Sequence, residues 1–269
     1  MLLDSVLVVY AATRPPAVQA AKKLGKIFEG RNVKYEALSL AEFDKEYSRF
    51  NEGVIMVLGG DGTMLRVARR VESTDVKLIG VNYGRAGYLN IVEPAELEEA
   101  CRRILEQDYH VERVMRLSIH AGDEFIADAL NEAYVSSTKP GKIIEYKILQ
   151  RDLLASDVAD GVILSTPVGS TAYAFSTGGP IVDERLEAVV LSPMASMTNL
   201  RSMVLSIDAP VTVSVVKGEA QVLVDGHTVK PLSDGRATAR KSPRSLSFIS
   251  FDERRLFSMR LRKRLYGKP

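Results

Sequence analysis

The segment Val54-Ile55-Met56-Val57-Leu58-Gly59-Gly60-Asp61-Gly62-Thr63-Met64-Leu65 carries the plainest chemical signal in the chain. A buried strand that runs into three glycines and then a helix presents backbone N–H groups at the carboxyl edge of a sheet, which suits a phosphate. Without Cβ atoms, Gly59, Gly60 and Gly62 would let a phosphate chain approach closely and would permit positive φ. The pattern matches neither GxGxxG nor GxxxxGK[ST]. Asp61 is the anomaly, because a carboxylate repels phosphate. It could accept a proton from an attacking hydroxyl or hold Mg²⁺; the competing reading is that Asp61 or Thr63 simply caps the following helix.

A second stretch, Asp160 to Pro180, brings a strand into Ser165, Thr166, Ser170, Thr171, Tyr173, Ser176 and Thr177, with glycines between them. That density of neutral hydroxyls predicts an uncharged, hydrogen-bonding ligand; amide, ribose and adenine edges fit better than a bare phosphate or a metal. A polar surface loop is the alternative. Asn131-Glu132 follows the strand-like run Phe125 to Leu130. Asparagine both donates and accepts, and a carboxylate can take two ribose hydroxyls, so the pair suits a nucleoside, although a turn is the commoner reason for such a dipeptide.

The elements that must position these residues fall into two regimes. From Ser5 to about Asp108, the β-branched runs Val6–Val9, Val33–Leu38, Val54–Leu58 and Val76–Val81 read as strands covered on both faces. Helical periods lie between them: one opened by Pro16 with Val18, Ala21, Leu24 and Phe28 on one face; one striped by Met64, Val67, Ala68 and Val71; one beginning near Pro94 with Leu97, Cys101, Ile104 and Leu105 inward. This βαβα order predicts a parallel sheet. Past Asp108, alternating runs at 115–119, 143–149, 211–216, 221–224 and 245–251 follow one another without long helices, which predicts mainly antiparallel β structure. Asp225-Gly226 between apolar runs is a hairpin signal. The fold class is therefore an α/β domain with a parallel sheet followed by a mainly antiparallel β domain. The boundary falls near 106–114, giving an α/β domain over 1–108 and a β-rich domain over 109–249. The basic segment from 250 to 269, a helix or a tail, can return to the first domain.

Composition narrows the function classes. A chain of 269 residues buries roughly 70–75% of its unfolded surface. Its 46% hydrophobic and 26% charged residues exclude disordered and fibrous proteins. Thirty-six Lys and Arg against 34 Asp and Glu leave a net charge of +2, too little to hold a nucleic acid by counterion release. The lone Cys101 reads as a small buried residue in a reducing compartment, and the three scattered histidines lack zinc spacing. With no signal-peptide pattern and no apolar window long enough to span a bilayer, the expectation is a soluble cytoplasmic protein with no membrane partner.

Gly59-Gly60-Asp61-Gly62-Thr63, Asn131-Glu132, Asp160-Gly161, Ser165-Thr166-Pro167, Gly169-Ser170-Thr171-Ala172-Tyr173 and Gly178-Gly179-Pro180, in this order and spacing, resemble the NAD kinases. The resemblance runs from about residue 54 to Asp225. The Gly-Gly-Asp-Gly element is shared with diacylglycerol-type lipid kinases and 6-phosphofructokinases; the Ser-Thr-Pro to Ala-Tyr stretch is more specific. The resemblance implies transfer of a phosphoryl group to the adenosine ribose 2′-hydroxyl of NAD, giving NADP, with ATP or polyphosphate as donor and Mg²⁺ or another divalent cation. It implies Asp61 as the catalytic aspartate and Gly59, Gly60, Gly62 and Thr63 at phosphates. Asn131 and Glu132 would hold ribose or nicotinamide, with Asp160 near the nicotinamide end. Thr171, Ala172, Tyr173 and Ser176 would line the dinucleotide site, Tyr88 would lie beside the adenine, and Ala195 and Asp225 are weaker matches. A homodimer or homotetramer is a further family expectation. Val168, Ala159 and the stretch Pro193-Met194-Ala195-Ser196-Met197-Thr198 depart from the usual family residues. At the level of sequence, a lipid kinase, which has no evident need of the hydroxyl-rich loop, and a non-enzymatic NAD sensor, against which Asp61 argues, remain as alternatives.

Overall fold

Four apolar runs become the parallel strands β1 (Ser5–Tyr10), β2 (Lys34–Ser39), β3 (Gly53–Gly59) and β4 (Val76–Asn82). The computed structural model describes residues 5–28, 31, 33–46, 50–85, 87–252 and 256–266. Contacts divide the chain into two compact units, Met1–Val114 with Arg244–Pro269, and Met115–Pro243.

In the first unit the sheet order is β2-β1-β3-β4, so the chain reverses direction of travel across the sheet between β1 and β3, beside the strand that delivers Gly59. In open α/β sheets that crevice at the carboxyl ends is where ligands bind. β1, β3 and β4 are buried along nearly their whole length, whereas β2 is the edge strand, with Lys34 and Glu36 exposed, so the expectation of two covered faces fails there. Helix α1 (Pro15–Phe28) buries Ala17, Ala20, Ala21, Leu24 and Phe28; Val18 lies at the margin of this stripe rather than within it. A short helix α2 (Leu40–Glu46), with only Phe43 buried, gives too brief a period to be read from sequence. Helix α3 (Asp61–Arg70) and Val71 behind it bury the expected Met64, Val67, Ala68 and Val71. Pro94 opens a single 3₁₀ turn that leads into α4 (Leu97–Leu105), which buries Leu97, Ala100, Cys101 and Ile104. Burial pushes the Cys101 thiol up to about 12, so it packs as an inert apolar group.

The sheet is completed by β5 (His110–Val114) and by the last strand of the chain. The run Ser245–Phe251, grouped from sequence with the antiparallel half, instead joins the first sheet, parallel to β4 and antiparallel to β5. Its strand, Leu246–Ser250, is fully buried, and nothing in a five-residue apolar run records which sheet will receive it.

The second unit contains two six-stranded antiparallel sheets whose inner faces share one core that includes Ile119, Val135, Tyr146, Ile148, Val162, Leu191, Val213 and Val222. One sheet holds β6 (Leu117–Ala121), β7 (Glu124–Ala129), β9 (Ile144–Gln150), β10 (Asp152–Ala159), β14 (Val211–Lys217) and β17 (Arg236–Lys241). The other holds β8 (Glu132–Ser137), β11 (Gly161–Ser165), β12 (Ala188–Met194), β13 (Met203–Ser206), β15 (Ala220–Val224) and β16 (Thr228–Pro231). The expected hairpin forms between β15 and β16. Asp225 and Gly226 have φ of 47° and 66°, and the His227 N–H closes the turn on the Val224 carbonyl at 3.0 Å. After the short helix α5 (Tyr173–Ser176) and the strand β18 (Leu246–Ser250), the basic C-terminal segment is a helix, α6 (Leu256–Tyr266). Among the described residues no helix is long and apolar enough to cross a membrane.

Candidate functional site

The candidate residues form two clusters, one in each unit. In the first, β3 ends at Gly59 and α3 starts at Asp61 with Gly60 as its N-cap, without a side-chain cap. The capping alternative for Asp61 and Thr63 is therefore overturned: the Gly60 carbonyl takes the N–H groups of Thr63 and Met64 at 2.9 and 3.1 Å. None of Gly59, Gly60 and Gly62 has positive φ, so backbone handedness does not require glycine here. A Cβ on Gly59 would stand 2.5 Å from Thr63 Oγ1, whereas one on Gly60 would make ordinary contact with the Gly84 Cα at 3.4 Å. Around Gly62, by contrast, there is nothing within 4 Å of a Cβ, and the N-terminal end of α3 is open.

The Asp61 carboxylate does something unexpected. It accepts backbone N–H groups from three successive residues: Tyr88 at 3.0 Å on Oδ2, and Leu89 at 2.9 Å and Asn90 at 3.4 Å on Oδ1. The strap from Tyr83 to Val92 is thereby tied to the glycine turn, with the Asn82 N–H on the Val92 carbonyl at 2.8 Å closing its base. Two buried asparagines missed from the sequence complete the tie. Asn90 Nδ2 donates to the Gly59 carbonyl at 2.7 Å, and Asn82 Oδ1 accepts the Gly84 N–H at 3.0 Å. Their signal was available: Asn82 and Asn90 interrupt the apolar runs Val81-Asn82 and Leu89-Asn90-Ile91, and an amide in such a run must find partners. Tyr88 is half-buried; the Arg260 guanidinium of α6 lies 5.9 Å from its ring centroid, and Lys263 pairs with Glu93 at 2.8 Å, so the C-terminal helix braces the strap.

In the second unit, Asp225 plays the part that Asp61 plays in the first. Its carboxylate accepts the N–H groups of Leu130 (2.8 Å), Asn131 (2.8 Å) and Glu132 (3.0 Å). Asp225 thereby fixes the backbone of Asn131 and Glu132. Its test is Asp225→Ala: three N–H groups lose a charged acceptor, each loss worth roughly 1–3 kcal/mol, and a melting point lowered by less than about 3 °C would remove this role. The Glu132 carboxyl is pushed up to about 8, first by burial and then by the Asp225 charge, against a stabilising N–H from Tyr173. Its Oε2 is enclosed without a hydrogen-bond partner.

Tyr173 packs edge-to-face on Tyr134 with centroids 5.6 Å apart, and both hydroxyls lie 3.4 Å from the Met194 sulfur. The Met194 carbonyl accepts the Asp160 N–H at 3.0 Å, and Ala195 follows, exposed, with φ of 52°. Asn131, Glu132, Asp160, Tyr173, Ala195 and Asp225 are thus connected through short contacts within one unit.

The hydroxyl-rich stretch is a correction. Thr166 donates to the Leu130 carbonyl at 2.5 Å and accepts the Gly169 N–H at 2.9 Å. Ser165, Ser170 and Thr171 donate to the carbonyls of Thr166, Pro167 and Val168. All four are buried, so these hydroxyls fold the loop rather than face a ligand. A Cβ at Gly169 would overlap the Asn131 carbonyl, so this turn packs directly on the Asn131-Glu132 backbone. Ala172, Tyr173 and Ser176 remain accessible, and Tyr173 is 41% exposed. The departures at Val168 and Ala159 are packing positions, each at most 1% exposed.

Comparison with known proteins settles the family. Residues 17–109 match the model of the ATP-NAD kinase N-terminal domain and residues 130–251 that of the ATP-NAD kinase C-terminal domain. The chain belongs to the NAD kinase family. An NAD kinase of Thermococcus sibiricus is 40% identical over 223 residues, 81% of this chain and 78% of the relative. The crystal structure of an NAD kinase from Archaeoglobus fulgidus in complex with ATP superposes with a TM-score of 0.78 at 30% identity, covering 96% of this chain and 98% of that one. A yeast NADH kinase complexed with NADH, 18% identical, shares the fold with a TM-score of 0.83 over 99% of this chain and 88% of its own. The NAD kinase reaction, transfer of a phosphoryl group to NAD, is the activity of this chain.

Proposed function

We propose that the donor is ATP and that Asp61 is the general base. The ribose 2′-hydroxyl oxygen attacks the γ-phosphorus, the bond from that phosphorus to the β–γ bridging oxygen breaks, and the hydroxyl proton passes to Asp61 as ADP leaves. The observation that carries this reading is the way Asp61 is held. A carboxylate offers about four acceptor positions, and the strap occupies one on Oδ2 and two on Oδ1. Oδ2 therefore keeps a lone pair while the strap fixes the direction in which it points. Gly59, Gly60, Gly62 and Thr63 at the open helix end bind phosphate oxygens. Glu132 accepts a ribose hydroxyl; Asn131 and Asp160 bind toward the nicotinamide. Ala172, Tyr173, Ser176 and Ala195 line the dinucleotide, with Thr171 supporting them from beneath, and Tyr88 lies beside the adenine.

Among the described residues no three His, Cys, Asp or Glu side chains are grouped to hold an ion. Mg²⁺ would fit as part of the donor, held by its phosphates and by water, and would supply neutralisation of the charge developing on them. We further propose, on the family resemblance, a cytoplasmic homo-oligomer.

The deciding assay incubates purified protein with NAD and Mg²⁺ and either ATP or polyphosphate, and follows NADP. NADP formed with ATP is the expected result; NADP formed only with polyphosphate overturns the donor assignment. Omitting the divalent cation is expected to abolish product.

A further inference from the structure

Asp157, on β10, is 1% exposed, and its carboxylate takes four neutral donors: the Val158 N–H at 2.7 Å, Ser196 Oγ and Thr198 Oγ1 at 2.8 Å each, and Tyr146 Oη at 2.9 Å. A buried carboxylate is costly unless fully bonded, and a satisfied one fixes a single arrangement of whatever bonds it. Two of its donors come from the turn that follows β12, and that turn needs fixing. Ala195 and Asn199 hold φ of 52° and 60°, a region that costs a non-glycine residue about 1 kcal/mol, on either side of the two hydroxyls. Ser196 Oγ also accepts the Leu200 N–H at 2.9 Å, and the Met197 N–H reaches the Val158 carbonyl at 2.8 Å, so the turn is tied to β10 along its length. Burial and the neighbouring Asp157 raise the Tyr146 hydroxyl, which therefore stays protonated as a donor. Immediately before the turn stands Met194, whose sulfur meets the hydroxyls of Tyr134 and Tyr173 and whose carbonyl holds Asp160.

We propose that Asp157 is a positioning residue for the dinucleotide: by anchoring Ser196 and Thr198 it sets Met194 and Ala195, and through Met194 it sets Tyr173 and Asp160. Asp157 meets no substrate itself, and the proposal rests on the assignment of Tyr173 and Ala195 to the dinucleotide site.

The test measures KM for NAD, KM for ATP and kcat in Asp157→Ala, Asp157→Asn, the double variant Ser196→Ala/Thr198→Ala, and Tyr173→Ala. Asp157→Ala and the double variant are expected to raise KM for NAD about tenfold, the worth of roughly one hydrogen bond to a charged acceptor, with KM for ATP unchanged. Asp157→Asn is expected to recover most of this, since its Oδ1 can retain three of the four donors. If Asp157→Ala does not fold, the double variant decides alone, because it leaves the bonds from Val158 and Tyr146 in place. An unchanged KM for NAD in the folded double variant, or KM for ATP rising in step with it, overturns the proposal. Unchanged KM for NAD in Tyr173→Ala instead overturns the site assignment on which the proposal stands.

Discussion

Asp61→Asn is expected to lower turnover by at least about a hundredfold while KM for NAD changes little. The asparagine keeps nearly the same shape but cannot take a proton from a hydroxyl at neutral pH. The way Asp61 is held adds a second expected effect. An amide has one acceptor atom, so whichever way it turns, its NH₂ confronts an N–H of the strap, either that of Tyr88 or those of Leu89 and Asn90. That replaces at least one bond to a charged acceptor with an opposed pair of donors, a loss of roughly 1–3 kcal/mol, and the melting point should fall with it. Steady-state kinetics and thermal unfolding on one preparation separate the two roles. A lowered melting point with turnover near that of the parent protein leaves Asp61 as the anchor of the strap and removes it as the base.

The second large effect concerns Glu132. Folding raises its carboxyl from the ordinary 4.5 to about 8, so the folded chain keeps a proton that the unfolded chain releases. The associated stability is complete below about pH 4.5 and is lost as pH rises through about 8, at up to about 1.4 kcal/mol per pH unit. Thermal midpoints measured from pH 5 to 9 should therefore decline, and Glu132→Gln, which carries no charge at any pH, should flatten the decline. A variant whose pH profile parallels that of the parent protein rules out this origin. The same proton gives a binding signature. If the dinucleotide ribose donates to Glu132, it favours the ionised form, and NAD binding at pH 7 releases protons. Calorimetry in buffers of different ionisation enthalpy should detect this release in the parent protein and not in Glu132→Gln. Release that persists in Glu132→Gln would take Glu132 out of the ribose site.

Asp61, Glu132 and Asp225 show how far the residue pattern could be read. Asp61 stood out because a carboxylate in a glycine turn conflicts with phosphate binding, and the conflict was visible locally. That its oxygens would be occupied by residues 88–90 was not visible, because N–H donors carry no side-chain signature and lie 27 to 29 positions away. The tie from Asp225 to Leu130, Asn131 and Glu132 spans 93 to 95 positions and was hidden for the same reason. The hydroxyls of residues 165–171 were read as ligand contacts from their density alone, yet each found a backbone partner within its own loop or in Leu130. Counting donors does not reveal which way they point.

The local periods and the motif order are legible in the residues alone: four strands and three of the helices around them, a β-rich second half, the Asp225-Gly226 hairpin and the signature residues of the family. These follow from side-chain size and polarity at spacings of two and three to four, which act over a few residues. Tertiary structure decided what depends on partners distant in the chain. It placed the strand Leu246–Ser250 in the first sheet, put β2 at an edge, aimed the Asp61 and Asp225 carboxylates at backbone N–H groups, and enclosed Glu132 and Asp157. Burial and hydrogen-bond direction are properties of the packed chain, and they convert a list of suitable residues into an arrangement with a defined charge and geometry.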